Sequence, residues 1–111
     1  MDKTLLPNFT KMAGLIVAII QDYQTNEVLM QAFMNEAAWR LTLVEGRVYF
    51  WSRRRQCLWF KGETSGNILT VCEMTLDCDY DSVLIKVKVE GDGLACHTGQ
   101  RSCFFTTIPR S

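Results

Sequence analysis

Ile68-Leu69-Thr70-Val71-Cys72-Glu73-Met74-Thr75-Leu76 and Ser82-Val83-Leu84-Ile85-Lys86-Val87-Lys88-Val89-Glu90 both alternate as strands do, and Asp77-Cys78-Asp79-Tyr80-Asp81 stands between them. Successive side chains of an extended strand point to opposite faces. Read as extended, the acidic segment lines Asp77, Asp79 and Asp81 along one face and turns Cys78 to the other. Neighbouring carboxylates repel and are costly to keep ionised without a cation between them. Two readings stand for the triplet: a solvated strand end, or a site for Mg²⁺ or a similar hard cation. A calcium-sensor loop is excluded, because it needs Gly at its sixth position and Glu at its twelfth. Ser82 and Lys88 stand there.

Upstream, residues 15–21 and 28–34 are two β-rich apolar runs joined by Gln24-Thr25-Asn26-Glu27, the pattern of a hairpin. Asn35 reads as a helix N-cap, with Glu36 in the first turn and Ala37, Ala38, Trp39, Leu41 and Val44 at helical positions until Gly46 stops the run. Residues 48–52 read as a further strand and 58–67 as a glycine-containing loop. Gly91-Asp92-Gly93 makes a turn, and the remainder is a loop or short helical turn. Many strands, one helix and short connections predict a small α+β domain over residues 1–111, with a mainly antiparallel sheet and few helices.

The 111 residues are 48% hydrophobic and 11% aromatic, enough for a small core, and the formal net charge is zero. A neutral chain offers no global attraction to nucleic acid or an anionic membrane. Residues 1–7 show no charged-then-apolar signal pattern, and the apolar run at 15–20 is far too short to span a bilayer. Five cysteines, an odd number, fit a cytoplasmic protein with reduced thiols. Locally, Arg47, Arg53, Arg54, Arg55 and Lys61 form a basic segment. It reads either as a solvated face or as a place for phosphate groups.

No C-x-x-C pair is present, so zinc-ribbon patterns are absent. A loop can bring Cys96 and Cys103 to one ion, and Cys78 supplies a third ligand if its strand lies nearby, in this subunit or a partner. Three protein ligands leave a fourth zinc position for water. The alternative is that free cysteines pack as small hydrophobes, and that is the expectation for Cys57 and Cys72. His97, the one histidine, is either structural or a general base beside such a site. Lys61, Thr64 and Ser65, with backbone N–H groups freed at Gly62 and Gly66, form a loop able to cradle a phosphate.

Trp51-Ser52-Arg53, Leu58-Trp59, Lys61 through Asn67, Asp77 through Asp81, Ala95 through Gly99 and Ser102 through Phe104, in this order, resemble the phosphoribosyl-AMP cyclohydrolases of histidine biosynthesis. The resemblance implies hydrolytic opening of the purine ring of N1-(5-phosphoribosyl)-AMP at its C6–N1 bond by a zinc-activated water. It implies Zn²⁺ on Cys78, Cys96 and Cys103, shared between the subunits of a homodimer. It also implies Mg²⁺ on Asp77, Asp79 and Asp81, and His97 as a proton shuttle. The two phosphate-bearing arms of such a substrate suit Trp51, Ser52 and Arg53 together with Lys61, Glu63, Thr64, Ser65, Gly66 and Asn67. Arg54 stands where the family commonly has Ser.

Two rival classes fit less well. A zinc nucleobase deaminase also attacks C6 of adenine, but its H-x-E and P-C-x-x-C signatures are missing. A zinc-stabilised binding module wants four protein ligands. The chain runs only eight residues past Cys103, which leads to the expectation that a separate protein makes the substrate from phosphoribosyl-ATP.

Overall fold

A computed structural model describes residues 5–110; residues 1–4, part of the stretch read for a signal pattern, and residue 111 lie outside them. The elements in chain order are β1 (Ile16–Asp22), β2 (Val28–Met34), α1 (Glu36–Glu45), β3 (Tyr49–Ser52), β4 (Cys57–Phe60), β5 (Leu69–Leu76) and β6 (Ser82–Val89). They form a six-stranded sheet in the order β4-β3-β2-β1-β6-β5. All neighbours are antiparallel except β1 and β6, which run parallel from Val17 beside Ser82 to Asp22 beside Val87. This is the α+β domain with a mainly antiparallel sheet that the sequence predicts.

The predicted hairpin runs from Ile16 opposite Met34 to Gln21 opposite Val28. Asn35 does cap the helix: its Oδ1 accepts the Ala38 N–H at 2.9 Å. Gly46 ends it at φ 70°, donating its N–H to the Thr42 carbonyl at 2.9 Å. The helix turns Ala38, Trp39 and Thr42 inward, against a core that includes Ile16, Ile20, Phe50, Ile85 and Val87. Each large apolar side chain buried there contributes about 1.5–3 kcal/mol. Thr42 ties helix to sheet, its hydroxyl donating to the Ala38 carbonyl and accepting the Tyr49 N–H at 3.0 Å. No helix among the described residues is long and apolar enough to cross a membrane.

Three local expectations change. Residues 57–60 form strand β4 rather than the start of a loop, because Phe60 stacks on Tyr49 (4.8 Å) and Trp59 packs on Phe50 (5.3 Å) across the strand pair. Cys57 and Cys72 are exposed rather than packed inside. Cys57 opens an edge strand, and Cys72 is the unpaired residue of a bulge between Val71 and Glu73. Finally, residues 77–81 are a turn between β5 and β6, not extended chain, so strand alternation does not order their side chains.

The parallel pairing gives the sheet two functionally distinct ends. One carries the β1–β2 turn, residues 61–68 and the whole stretch 90–103. The other carries residues 11–15, Asn35 and the 77–81 turn. β5 and β6, eight residues each, separate the two ends; at 3.3 Å per residue that is roughly 23 Å.

Candidate active site

At the first end, residues 95–103 fold into a loop closed on itself by the Ala95 N–H to the Arg101 carbonyl and the Cys96 N–H to the Gln100 carbonyl, both 3.1 Å. Its far arm is sewn to β2. The Cys103 N–H donates to the Leu29 carbonyl at 2.7 Å, and the Ser102 hydroxyl to the Val28 carbonyl at 2.8 Å. Arg101 clamps the same loop to the hairpin turn, with Nη2 3.0 Å from Asp22 Oδ2 and Nε 2.5 Å from Glu27 Oε1. Cys96 and Cys103 thereby become neighbours close enough for each thiol to affect the other's ionisation.

The two thiols are unequal. The Thr98 hydroxyl, 3.0 Å from the Cys96 sulfur, holds that thiol below the usual range, assisted by the Thr98 N–H, Cys103 and Lys61. Burial of the Cys103 sulfur, with the hydrogen bond and charge of Cys96, pushes Cys103 up to about 11, although the residue keeps an exposed outer surface. Lys61 is 7% exposed, and burial lowers its pKa against the opposing pull of the two thiols. A pair of cysteine sulfurs beside a buried cation is a soft-ligand arrangement, and it suits Zn²⁺.

Cys96 and Lys61, but not Cys103, line a cleft of about 390 Å³ that brings them together with His97, Glu63, Thr64, Ser65 and Asn67. Gly66 does not line it but donates its N–H to the Gly62 carbonyl at 2.9 Å, closing the loop. That loop leans on the 91–93 turn, where the Asp92 N–H reaches Asn67 Oδ1 at 2.8 Å. Gly62 and Gly91 are dictated by close approach: a Cβ on Gly62 meets the Asn67–Ile68 backbone at 2.6 Å, and one on Gly91 meets Asn67 Oδ1 at 2.5 Å.

At the second end, Asp77 shapes the acidic turn. Its Oδ1 accepts the N–H groups of Asp81 (3.1 Å) and Ser82 (3.2 Å), while Tyr80 takes a left-handed φ of 65°. One carboxylate oxygen from each of Asp77, Asp79 and Asp81 then lies within 4.8 Å of the others, the one such donor group of three among the described residues. Lys11 supplies the positive charge, with Nζ 2.6 Å from Asp79 Oδ2 and 3.7 Å from Asp81 Oδ2. The Lys11 contact holds Asp79 below the usual carboxylate range, whereas desolvation and the neighbouring acids raise Asp81. Three clustered carboxylate oxygens are the ligand type a hard cation takes, so the triplet fits Mg²⁺, with the Lys11 ammonium as its competitor.

Trp51 and Arg53 belong to this second end. They line a shallower concavity of about 480 Å³ with Gly14, Asn35 and Gln56, and the Arg53 guanidinium lies 3.9 Å over the Phe33 ring. Ser52 caps the β3–β4 turn by accepting the Arg55 N–H at 3.2 Å. The basic segment read along the sequence is therefore divided in space: Arg53 faces one concavity, while Arg55 and Lys61 face the other. Cys78, exposed in the acidic turn, is a sheet length away from Cys96 and Cys103. One chain does not bring the three cysteines together.

The match to known proteins takes in both ends. Residues 30–105 match the family model of phosphoribosyl-AMP cyclohydrolase. The chain belongs to the phosphoribosyl-AMP cyclohydrolase family. A phosphoribosyl-AMP cyclohydrolase of Desulforapulum autotrophicum is 55% identical over 101 residues, 91% of this chain and 80% of its own length. Those of Brucella abortus and Syntrophotalea carbinolica are 52% and 58% identical, over 96% and 88% of this chain and 88% and 78% of theirs. The cyclohydrolase match spans every site residue named from the sequence; Lys11 lies upstream of it.

Arg55, read only as part of the basic segment, lines the cleft. Three further contributors escaped the sequence reading of this cyclohydrolase site, the first being Trp59 of β4, which also lines the cleft. Arg101 and Lys11 act through ion pairs with residues 79 and 68 positions away, for which a sequence carries no local sign.

Proposed function

We propose that the chain is a phosphoribosyl-AMP cyclohydrolase of histidine biosynthesis, working in the cytoplasm as a homodimer. It opens the purine ring of N1-(5-phosphoribosyl)-AMP by adding water at C6 and breaking the C6–N1 bond. Zn²⁺ is held by Cys96 and Cys103 of one copy and Cys78 of the other; Mg²⁺ is held by Asp77, Asp79 and Asp81. The single observation that carries this reading is the division of the site: the thiol pair, His97 and the glycine loop at one end of the sheet, the carboxylates, Cys78, Trp51 and Arg53 at the other. A second copy placed end to end completes both halves at once, as a two-fold interface does.

The residues then have separable tasks. Zn²⁺, when bound, lowers the pKa of water and polarises the carbon under attack. The Lys61 ammonium, buried beside Cys96 and Cys103, offsets the negative charge of their thiolates. Thr64, Ser65 and Arg55 grip one phosphate-bearing arm in the cleft. Trp51 and Arg53 of the other copy take the second arm. His97, exposed at the cleft, accepts a proton from the attacking water and returns it to N1 as the ring opens.

The test is direct. Purified protein supplied with Zn²⁺ and Mg²⁺ should convert phosphoribosyl-AMP to the ring-opened aminoimidazole carboxamide, followed by chromatography with ultraviolet detection. Chelation should abolish the reaction, and both ions should be needed to restore it. Failure to turn over phosphoribosyl-AMP, or release of ammonia in its place, refutes the reading. Mixing inactive Cys78→Ser with inactive Cys103→Ser should recover activity through hybrid dimers once subunits exchange; exchange without recovery refutes the shared site.

A further inference from the structure

Two apolar features at opposite ends of the sheet lack a partner within the described residues. The first is the segment after Cys103. Phe104, Phe105 and Ile108 are 63%, 53% and 83% exposed, and residues 104–110 form no helix or strand. Past the Phe104 N–H, which donates to the Ser102 hydroxyl at 3.0 Å, this segment shows no hydrogen bond among the described residues. Three large apolar side chains on seven residues of unpaired chain mark an interaction segment.

The second feature is a groove of about 300 Å³ between α1 and the end of β5, lined chiefly by Leu5, Trp39, Leu43, Met74, Leu76 and Tyr80. Leu76 precedes the acidic turn and Tyr80 lies within it, each two residues from Cys78. Trp39 is 4% exposed, and its indole N–H has no acceptor among the described residues.

We propose that residues 104–110 of one copy lie in the α1–β5 groove of a second copy, their apolar side chains against Leu43, Met74 and Leu76. This rests on the shared-zinc reading, which sets Cys103 of one copy beside Cys78 of the other. The segment starts one residue after Cys103, and the groove begins within two residues of Cys78. Five extended residues from Cys103 to Ile108 reach roughly 17 Å, enough to run along the groove. Two-fold symmetry doubles the contact, each segment entering the other copy's groove. Zinc then joins the copies at two symmetry-related points, and the paired segments supply the apolar contact that metal ligation alone does not.

The test uses the full chain loaded with Zn²⁺. Phe105→p-benzoylphenylalanine is prepared unlabelled and as ¹⁵N protein, the two are mixed to exchange subunits, and the sample is irradiated and digested. The expected product is an isotopically mixed cross-link to peptides carrying Leu43, Met74 or Tyr80. In parallel, sedimentation should show the Phe105→Ser, Ile108→Ser double variant dimerising at least tenfold more weakly than the parent; both positions are exposed, so the fold should survive. Cross-links confined to one copy, cross-links to peptides outside the groove, or unchanged dimerisation of the double variant overturn the proposal. A parent that binds zinc as a monomer overturns the shared-zinc reading and the docking together. Recovery of activity in Cys78→Ser and Cys103→Ser hybrids with cross-links elsewhere overturns the docking alone.

Discussion

Gly62→Ala separates backbone conformation from close packing at the wall of the cleft. Gly62 has φ 91°, and a Cβ there meets Asn67 C and Ile68 N at 2.6 Å and the Asn67 carbonyl oxygen at 2.7 Å. All three atoms are backbone, so no rotamer change relieves the contact. The left-handed conformation costs an L-residue roughly 1–2 kcal/mol, and overpacking against an immobile neighbour adds about 1–3 kcal/mol. The expected loss is about 2–5 kcal/mol, a large part of a typical domain stability of about 5–15 kcal/mol. Gly66→Ala is the internal control, since φ is 80° but nothing lies within 4 Å of its Cβ; it should lose only about 1–2 kcal/mol. Urea unfolding of parent and both variants, with m-values compared, measures the difference. In the folded fraction, Gly62→Ala should raise KM for phosphoribosyl-AMP more than it lowers kcat, because Lys61, Thr64 and Ser65 shift together while His97 stays on its own loop. Equal losses for the two alanine variants refute the close-packing argument.

Other consequences follow from the same contacts. Cys96→Ser or Cys103→Ser should abolish zinc binding and activity, whereas Cys57→Ser and Cys72→Ala, at exposed positions, should retain zinc by elemental analysis. Arg101→Met should weaken zinc retention in a chelator competition by about fivefold by freeing the loop from Asp22 and Glu27, and Arg101→Lys should recover part of it. Burial raises the Asp22 pKa, but the N–H groups of Thr25 and Gln24 and the Arg101 charge bring it below the usual 3.8. A depressed carboxylate stabilises the fold above its unfolded pKa and loses that contribution as pH falls through the folded value. The stability gap between parent and Arg101→Met should therefore be full near neutrality and close below about pH 4. Asp79→Asn should raise the Mg²⁺ concentration needed for activity without releasing zinc, and Lys11→Met should tighten Mg²⁺ binding in calorimetry by removing the competing ammonium. A calorimetric titration of Lys11→Met that overlays the parent's refutes that competition.

What the sequence determined by itself is whatever short-range chemistry controls. The β1–β2 hairpin, the Asn35 cap and the Gly46 stop were legible to within a residue, because each depends on alternation or on a hydrogen bond spanning a few positions. The order of motifs from Trp51 to Phe104 was enough to indicate the family. The tertiary structure decided the rest. The parallel pairing of β1 with β6 joins segments more than sixty residues apart, and no local pattern encodes it. That pairing sends Cys78 and the carboxylates to one end of the sheet and Cys96, His97 and Cys103 to the other, although they are close neighbours along the chain. Within the acidic turn, Asp77 accepting two backbone N–H groups gathers the carboxylates in a way that strand alternation did not anticipate. Cys57 and Cys72 face water because an edge strand and a bulge put them there, whatever their intrinsic taste for the interior. Residue types announced the chemistry; long-range strand pairing decided which of them share one end of the molecule.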